Sequence, residues 1–208
     1  YDNDGKPDIF VTCWGKNLLY HNLGNMHFEE VAEKLGVAGG GGISTSAAFV
    51  DYDCDGKLDL FVCHYVKWKL EEDRFCGNRQ GKKSYCGPEV YSSNPDTLYH
   101  NDGSGHFSDV SKKAGIIRPN SKSLGVVATD VNGDGWPDLY VACDLEPNLL
   151  FINNRDGTFS EQGVNKAVAF GQDGGAEAGM GVTAGDYDGD GRIDIFVTNY
   201  SYEMYALY

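Results

Sequence analysis

No apolar run in this 208-residue chain approaches the length needed to cross a bilayer: LDLFV is typical, whereas a spanning helix takes about 20 residues. Basic side chains are scarce, 17 against 31 acidic ones. The resulting net charge of −14 argues against nucleic acid or an anionic membrane as partner, since both require a basic face. The six cysteines contain no C-x-x-C, which removes zinc ribbons, thioredoxin-type redox sites and c-type haem. G-x-S-x-G, H-E-x-x-H and phosphate-binding glycine loops are also absent. Helical patterns are confined to one-turn candidates in VAEKLGV and VSKKAGI.

Glycine (28 residues) and tyrosine (13) are abundant, a composition suited to short strands and frequent turns. The carboxylates are not spread evenly. Fourteen of the 31 fall in four segments: YDNDGKPDIFV from Tyr1, DYDCDGKLDLFV from Asp51, DVNGDGWPDLYV from Asp130 and DYDGDGRIDIFV from Asp186. Like charges that close repel unless a cation lies between them. The turn glycines Gly5, Gly56, Gly135 and Gly191 are 51, 79 and 56 residues apart. Around each loop the context repeats. AAFV, GVVAT or GVTAG precedes it; NLLYHN, DTLYHN or NLLFIN follows, then a turn and a strand such as MHFEEV or GHFSDV. A unit of roughly fifty residues with several short strands predicts an all-β repeat fold, a β-propeller.

The long interval contains an insertion at about 67–94. Within it, a Cys76–Cys86 disulfide would staple a loop that has no core of its own, although Cys54 and Cys63 are also available as partners. An even cysteine count fits an oxidising, extracellular compartment. Residues 1–208 are expected to form one propeller segment of about three to four blades. Both ends fall inside a repeat, Tyr1 matching Tyr52 and Tyr187, and Tyr208 matching Tyr20 and Tyr99, as if cut from a longer chain.

The loops follow D-x-[DN]-x-D-G-x-x-D. Oxygen ligands at positions one, three and five, the carbonyl of residue seven and a closing Asp at position nine can surround one ion, with Gly at position six permitting the turn. Six or seven hard oxygens at flexible spacing suit Ca²⁺ better than Mg²⁺. An EF-hand would instead close with Glu at position twelve and lead into a helix. The predicted ligands are Asp2, Asp4, Lys6 and Asp8; Asp51, Asp53, Asp55, Lys57 and Asp59; Asp130, Asn132, Asp134, Trp136 and Asp138; and Asp186, Asp188, Asp190, Arg192 and Asp194. Lys6, Lys57, Trp136 and Arg192 would supply main-chain carbonyls. The first loop lacks its leading Asp, and neutral Asn132 should weaken the third.

The loops and their spacing resemble the FG-GAP/VCBS repeats of integrin-α-like propellers. The LYHN, glycine-turn and F-x-x-V pattern, with the insertion ending in Cys-Gly-Pro, is similar to bacterial relatives of cartilage acidic protein. The resemblance implies a seven-bladed, secreted or surface-exposed propeller with calcium on one rim. It further implies a non-enzymatic role in adhesion, scaffolding or assembly, with a protein or glycan at a propeller face, or further copies of the chain, as partner. The alternative is the propeller portion of a secreted polysaccharide-active enzyme whose catalytic groups lie in the insertion or in chain beyond this segment. His21 and His100 share a repeat position, as do His27 and His106, and recurrence of this kind reads as structural. His64, aligned with Cys13, Cys143 and Asn199 at a strand end, is the one histidine placed to line a central channel.

Overall fold

β-Branched and aromatic residues follow each Asp-Gly turn, and each such run is a strand in the computed structural model, which describes residues 1–208. β1 (Ile9–Val11), β2 (Leu18–Gly24) and β3 (His27–Glu30) form the first sheet. β4 (Ser44–Val50) and β5 (Asp59–His64) begin the second; after the small β6 (Cys76–Gly77) and β7 (Lys83–Ser84), β8 (Thr97–Asn101) and β9 (Phe107–Asp109) complete it. The third comprises β10 (Ser123–Thr129), β11 (Asp138–Cys143), β12 (Leu149–Asn153) and β13 (Phe159–Glu161). The fourth comprises β14 (Gly179–Gly185), β15 (Asp194–Asn199) and β16 (Ala206–Leu207). Every pairing is antiparallel, and each main sheet joins its strands in chain order, with only the small β6–β7 ladder set between β5 and β8, so each is a meander, one propeller blade. β10 packs between β4 and β14, which makes these the inner strands. The two predicted one-turn helices are α1 (Ala32–Leu35) and α2 (Ser111–Ala114), each ended by a left-handed glycine, Gly36 and Gly115. No helix is long and apolar enough to cross a membrane.

Side chains alternate across a strand with a period of two, so a strand between two stacked blades must be apolar on both faces. β5 (DLFVCH) and β11 (DLYVAC) are buried at every position. Leu60 and Val62 of β5 join Leu19, Leu35 and Val37 of the first blade, while Phe61 and Cys63 join Leu139, Val141 and Phe151 of the third. The alternate residues Tyr140 and Ala142 of β11 face Ile195 and Val197 of the fourth blade. The buried Tyr140 hydroxyl donates to the Val168 carbonyl at 2.7 Å, so its polar end is satisfied.

Cys76 and Cys86 are disulfide-bonded beside the β6–β7 ladder, while Cys13, Cys54, Cys63 and Cys143 are free. The even count therefore produces one bridge. Cys63 and Cys143 act as small apolar core residues, their thiols pushed well above the ordinary range by burial.

Truncating Phe61, which is fully buried between the second and third blades, is expected to cost about 3–5 kcal/mol in urea unfolding. Val164→Ala, at an exposed position, should stay within about 0.5 kcal/mol. Equal effects would contradict the two-sided burial.

Candidate acidic-loop site

All four acidic loops lead into a strand, and the second, third and fourth join the two strands of a hairpin, β4–β5, β10–β11 and β14–β15. Position six is left-handed throughout, at Gly5, Gly56, Gly135 and Gly191, with φ between 81° and 88°. Position four is left-handed too, a requirement not recognised from the sequence: Asn3 (φ 61°), Cys54 (56°), Gly133 (72°) and Gly189 (78°). With two left-handed residues flanking position five, the leading Asp captures the turn. Asp51 accepts the N–H groups of Asp55 (3.0 Å) and Gly56 (2.9 Å); Asp130 and Asp186 repeat the pattern.

These turns bring carboxylates together. In the second loop, one oxygen each from Asp51, Asp53 and Asp55 lie within 4.8 Å of one another. Asp53 belongs equally to a second group with Asp59 and His100. The fourth loop gathers Asp186, Asp188 and Asp194, and the first gathers Asp2, Asp8 and His21. The third does not form such a group, because Asn132 replaces the middle carboxylate. The Asn132 Oδ1 accepts the Asp134 N–H at 2.9 Å. Position five carries its own cation in every loop: Lys6 on Asp4 (2.6 Å), Lys57 on Asp55, Arg155 on Asp134 (2.8 Å) and Arg192 on Asp190 (3.5 Å). Hydrogen bonds from Lys6, Lys57 and Arg155 hold the Asp4, Asp55 and Asp134 carboxyls below their usual range. Where Trp136 removes the cation at position seven, Arg155 supplies it from the β12–β13 turn.

The position-nine carboxylate lies deepest. Asp59 and Asp138 are fully buried, and burial raises both above the ordinary carboxylate range. Both oxygens are met by main-chain donors. Tyr52 N and Asn101 N reach Asp59 at 3.2 and 2.8 Å, and Val131 N and Asn153 N reach Asp138 at 3.1 and 2.8 Å. Asp8 likewise accepts the Asn22 N–H at 2.8 Å. The antiparallel register, Ile9 opposite Tyr20 and Leu60 opposite Tyr99, then sets His21 beside Asp8 and His100 beside Asp59. His21 Nδ1 lies 3.2 Å from Asp8 Oδ1 and 3.4 Å from Asp2 Oδ2; His100 Nδ1 lies 3.1 Å from Asp59 Oδ1 and 3.5 Å from Asp53 Oδ2. Edge contacts from Tyr1 and Tyr52 hold the two rings. These histidines, read from recurrence as structural, lie against the loop carboxylates; Ile152 takes their place in the third blade.

The asparagine that follows each histidine position escaped the sequence reading altogether. Asn101 Nδ2 donates to the carbonyl of Leu58 in its own loop (3.0 Å) and to that of Tyr1 in the preceding blade's loop (3.1 Å). Asn153 does the same with Pro137 (3.0 Å) and Tyr52 (2.8 Å). Its identical placement in HN and IN was the signal available.

At the opposite strand end, His64 is buried rather than open to a channel. Its ring contacts Ser44 Oγ (3.2 Å) and Thr97 Oγ1 (3.0 Å), and burial lowers its pKa to about 4. Its N–H donates to Asp96 Oδ1 at 2.8 Å, just as Cys13 and Cys143 donate to the amides of Asn17 (3.0 Å) and Asn148 (2.8 Å). Asp96 is therefore a carboxylate at an asparagine position, and burial pushes its pKa up to about 7.

Antiparallel meander blades that carry D-x-[DN]-x-D-G-x-x-D loops define an acidic-loop type of propeller repeat. The family model for the FG-GAP-like repeat matches residues 1–62, 86–141 and 130–197, and the chain belongs to that family. Cartilage acidic protein 1 of Homo sapiens is 27% identical over 217 residues, 96% of this chain and 29% of that protein. Its Mus musculus counterpart is 27% identical over 141 residues, 62% of this chain and 18% of that protein. The chain thus spans less than a third of the curated relatives it matches.

A carboxyl whose pKa is raised on folding contributes stability that is lost as pH rises through the folded value, so Asp96 should progressively destabilise the protein between about pH 4 and 7. Asp96→Asn is expected to match wild type near pH 4 and to exceed it by about 1–3 kcal/mol at pH 8 in denaturant unfolding. His64 titrates in the opposite sense in both proteins, so the difference isolates Asp96. A pH-independent difference would sink this account.

Proposed function

We propose that the acidic loops bind Ca²⁺ and that the chain is part of a non-enzymatic extracellular propeller serving adhesion, scaffolding or assembly. The observation that carries this reading is the second loop. Its donors are hard oxygens converging from Asp51, Asp53 and Asp55, and Asp53 Oδ1 is buried without any hydrogen-bond partner. An orphaned buried carboxylate oxygen is costly unless a cation meets it. In this reading the ligands are the Asp and Asn side chains at positions one, three, five and nine, with the carbonyls of Lys6, Lys57, Trp136 and Arg192. His21 and His100 orient the carboxylates of the first two loops. Four Ca²⁺ would take the net charge of −14 to −6. The Cys76–Cys86 bridge supports an extracellular setting. Adhesion or scaffolding is favoured over catalysis because His64, the one histidine expected to line a central channel, is enclosed and already partnered.

Ion binding to the folded state alone stabilises it by mass action. With affinities of roughly 10⁻⁴–10⁻³ M, 10 mM Ca²⁺ should add about 1.4–2.7 kcal/mol per site relative to chelator, read as a rise in melting temperature, with Mg²⁺ giving less. An unchanged melting temperature would reduce the loops to turns. His100→Ile, which copies the third blade, should weaken calcium binding at the second loop by up to about tenfold in calorimetric titration. Unaltered binding would remove the histidine from the site.

A further inference from the structure

The 67–94 segment reverses the charge of the protein around it. It holds six of the 17 basic residues and four of the 31 acidic ones, and from Arg74 to Cys86 there are four basic residues and no acidic one. This stretch is an ordered hairpin: the disulfide and the β6–β7 pairing close it, and Asn78 Oδ1 accepts N–H groups from Gln80 and Lys82, both at 3.1 Å. Lys83 is paired with Asp73 at 2.7 Å, whereas Arg74, Arg79 and Lys82 are exposed and form no ion pair. Three unpaired cations on one short hairpin repel one another, and an anionic partner relieves that repulsion.

Aromatic rings lie alongside these cations. Tyr85 is fully exposed, and behind it runs a groove of about 400 Å³ walled by Trp68, Tyr91 and Arg74. Trp68 also lines two further concavities, about 270 and 710 Å³, the larger reaching Trp14, whose ring centre is 5.1 Å from that of Trp68. The three concavities share Trp68, and the surface along them is termed the trough. Asp73 sits at the junction, but its charge is taken up by Lys83, Trp68 Nε1 (3.1 Å) and Tyr91 OH (3.4 Å).

We propose that this hairpin and trough bind an anionic polysaccharide, a linear chain bearing carboxylate or sulfate groups. The anionic groups meet Arg74, Arg79 and Lys82, and sugar faces lie on Tyr85, Trp68 and Trp14. A thin chain can follow the trough where a folded acidic surface cannot, and ring faces suit the C–H face of a sugar. The acidic loops of a second copy fit less well, because Lys6, Lys57, Arg155 and Arg192 already accompany their position-five carboxylates. At the Trp14 end Glu71 and Glu72 offset Lys67 and Lys69, so the anionic groups are recognised at the hairpin end, where the cations are unopposed. The proposal rests on the adhesion reading but not on calcium.

The test is calorimetric titration of the full chain in Ca²⁺ with heparin (sulfate) and hyaluronan (carboxylate), against dextran, polyglutamate and a single-stranded oligonucleotide. At least one acidic polysaccharide should bind more tightly than the three controls. The double variant R79S/K82S should lose roughly tenfold in affinity, as expected when two charge contacts are removed. R79K/K82R should retain binding, and Tyr85→Ser should weaken it without changing its salt dependence. Circular dichroism and melting curves would establish that the variants fold. Failure of both polysaccharides to bind, equal binding by polyglutamate or the oligonucleotide, or binding unaffected by R79S/K82S would overturn the proposal. Polysaccharide binding without calcium stabilisation would leave it standing and sink only the calcium reading; the reverse would sink this proposal alone.

Discussion

The structure turns on the buried carboxylate at position nine. Asp59 and Asp138 sit where water cannot reach them, and burial alone would favour the neutral acid. What holds them in place is a convergence of two main-chain N–H groups, one from position two of the loop and one from the asparagine across the sheet. Each carboxylate therefore joins the entry of its loop to the next strand of its blade. The asparagine extends the connection to the preceding blade through Asn101 to Tyr1 and Asn153 to Tyr52. Loop conformation, blade register and blade stacking are consequently one problem, and neutralising or removing the carboxylate affects all three.

Between the blades the driving force is of another kind. β5 and β11 bury both faces, so each of these strands contributes to the core of two interfaces at once. Apolar burial is non-directional and would tolerate sliding. Direction is supplied at the two ends of the strand. On the loop side it comes from the Asp–Asn contacts. On the far side it comes from the amide of Asn17 or Asn148, or the Asp96 carboxyl, receiving the N–H of Cys13, Cys143 or His64. A polar fastening at each end of an apolar strand sets the register that hydrophobic contact leaves open.

Much of this was legible in the sequence for a physical reason: strands buried on both faces must be continuously apolar, and carboxylates two residues apart must share a cation or a turn. Repeat spacing, strand order and the loop positions follow from those two demands, and both one-turn helices from the VAEKLGV and VSKKAGI patterns. The Cys76–Cys86 pair was available as one of several pairings. What stayed hidden depends on register across the sheet. His100 looks like a surface histidine until β5 and β8 are paired, which places it opposite Asp59. Asn101 is an ordinary turn residue until the neighbouring blade brings the Tyr1 carbonyl within reach. Position four, occupied by Asn, Cys, Gly and Gly, showed its left-handed requirement only partly, because Cys54 adopts φ 56° without being a glycine. Asp96 could have been noticed as a charged residue at an asparagine position, but its burial could not.

The distribution of charge separates two roles within one chain. The acidic loops concentrate negative charge at one end of the strands, yet each position-five carboxylate is accompanied by a lysine or arginine drawn from the same turn or the adjacent one. That arrangement limits repulsion locally and keeps the loop geometry in place whatever else binds there. The insertion leaves β5 at the opposite end, and on its hairpin Arg74, Arg79 and Lys82 have no carboxylate, while the disulfide closes the hairpin that carries them. Charges balanced within a turn serve the turn. Charges held together without balance, beside exposed rings and outside the repeated blade, are not needed by the blade, and that difference sets the hairpin apart from the propeller's own architecture.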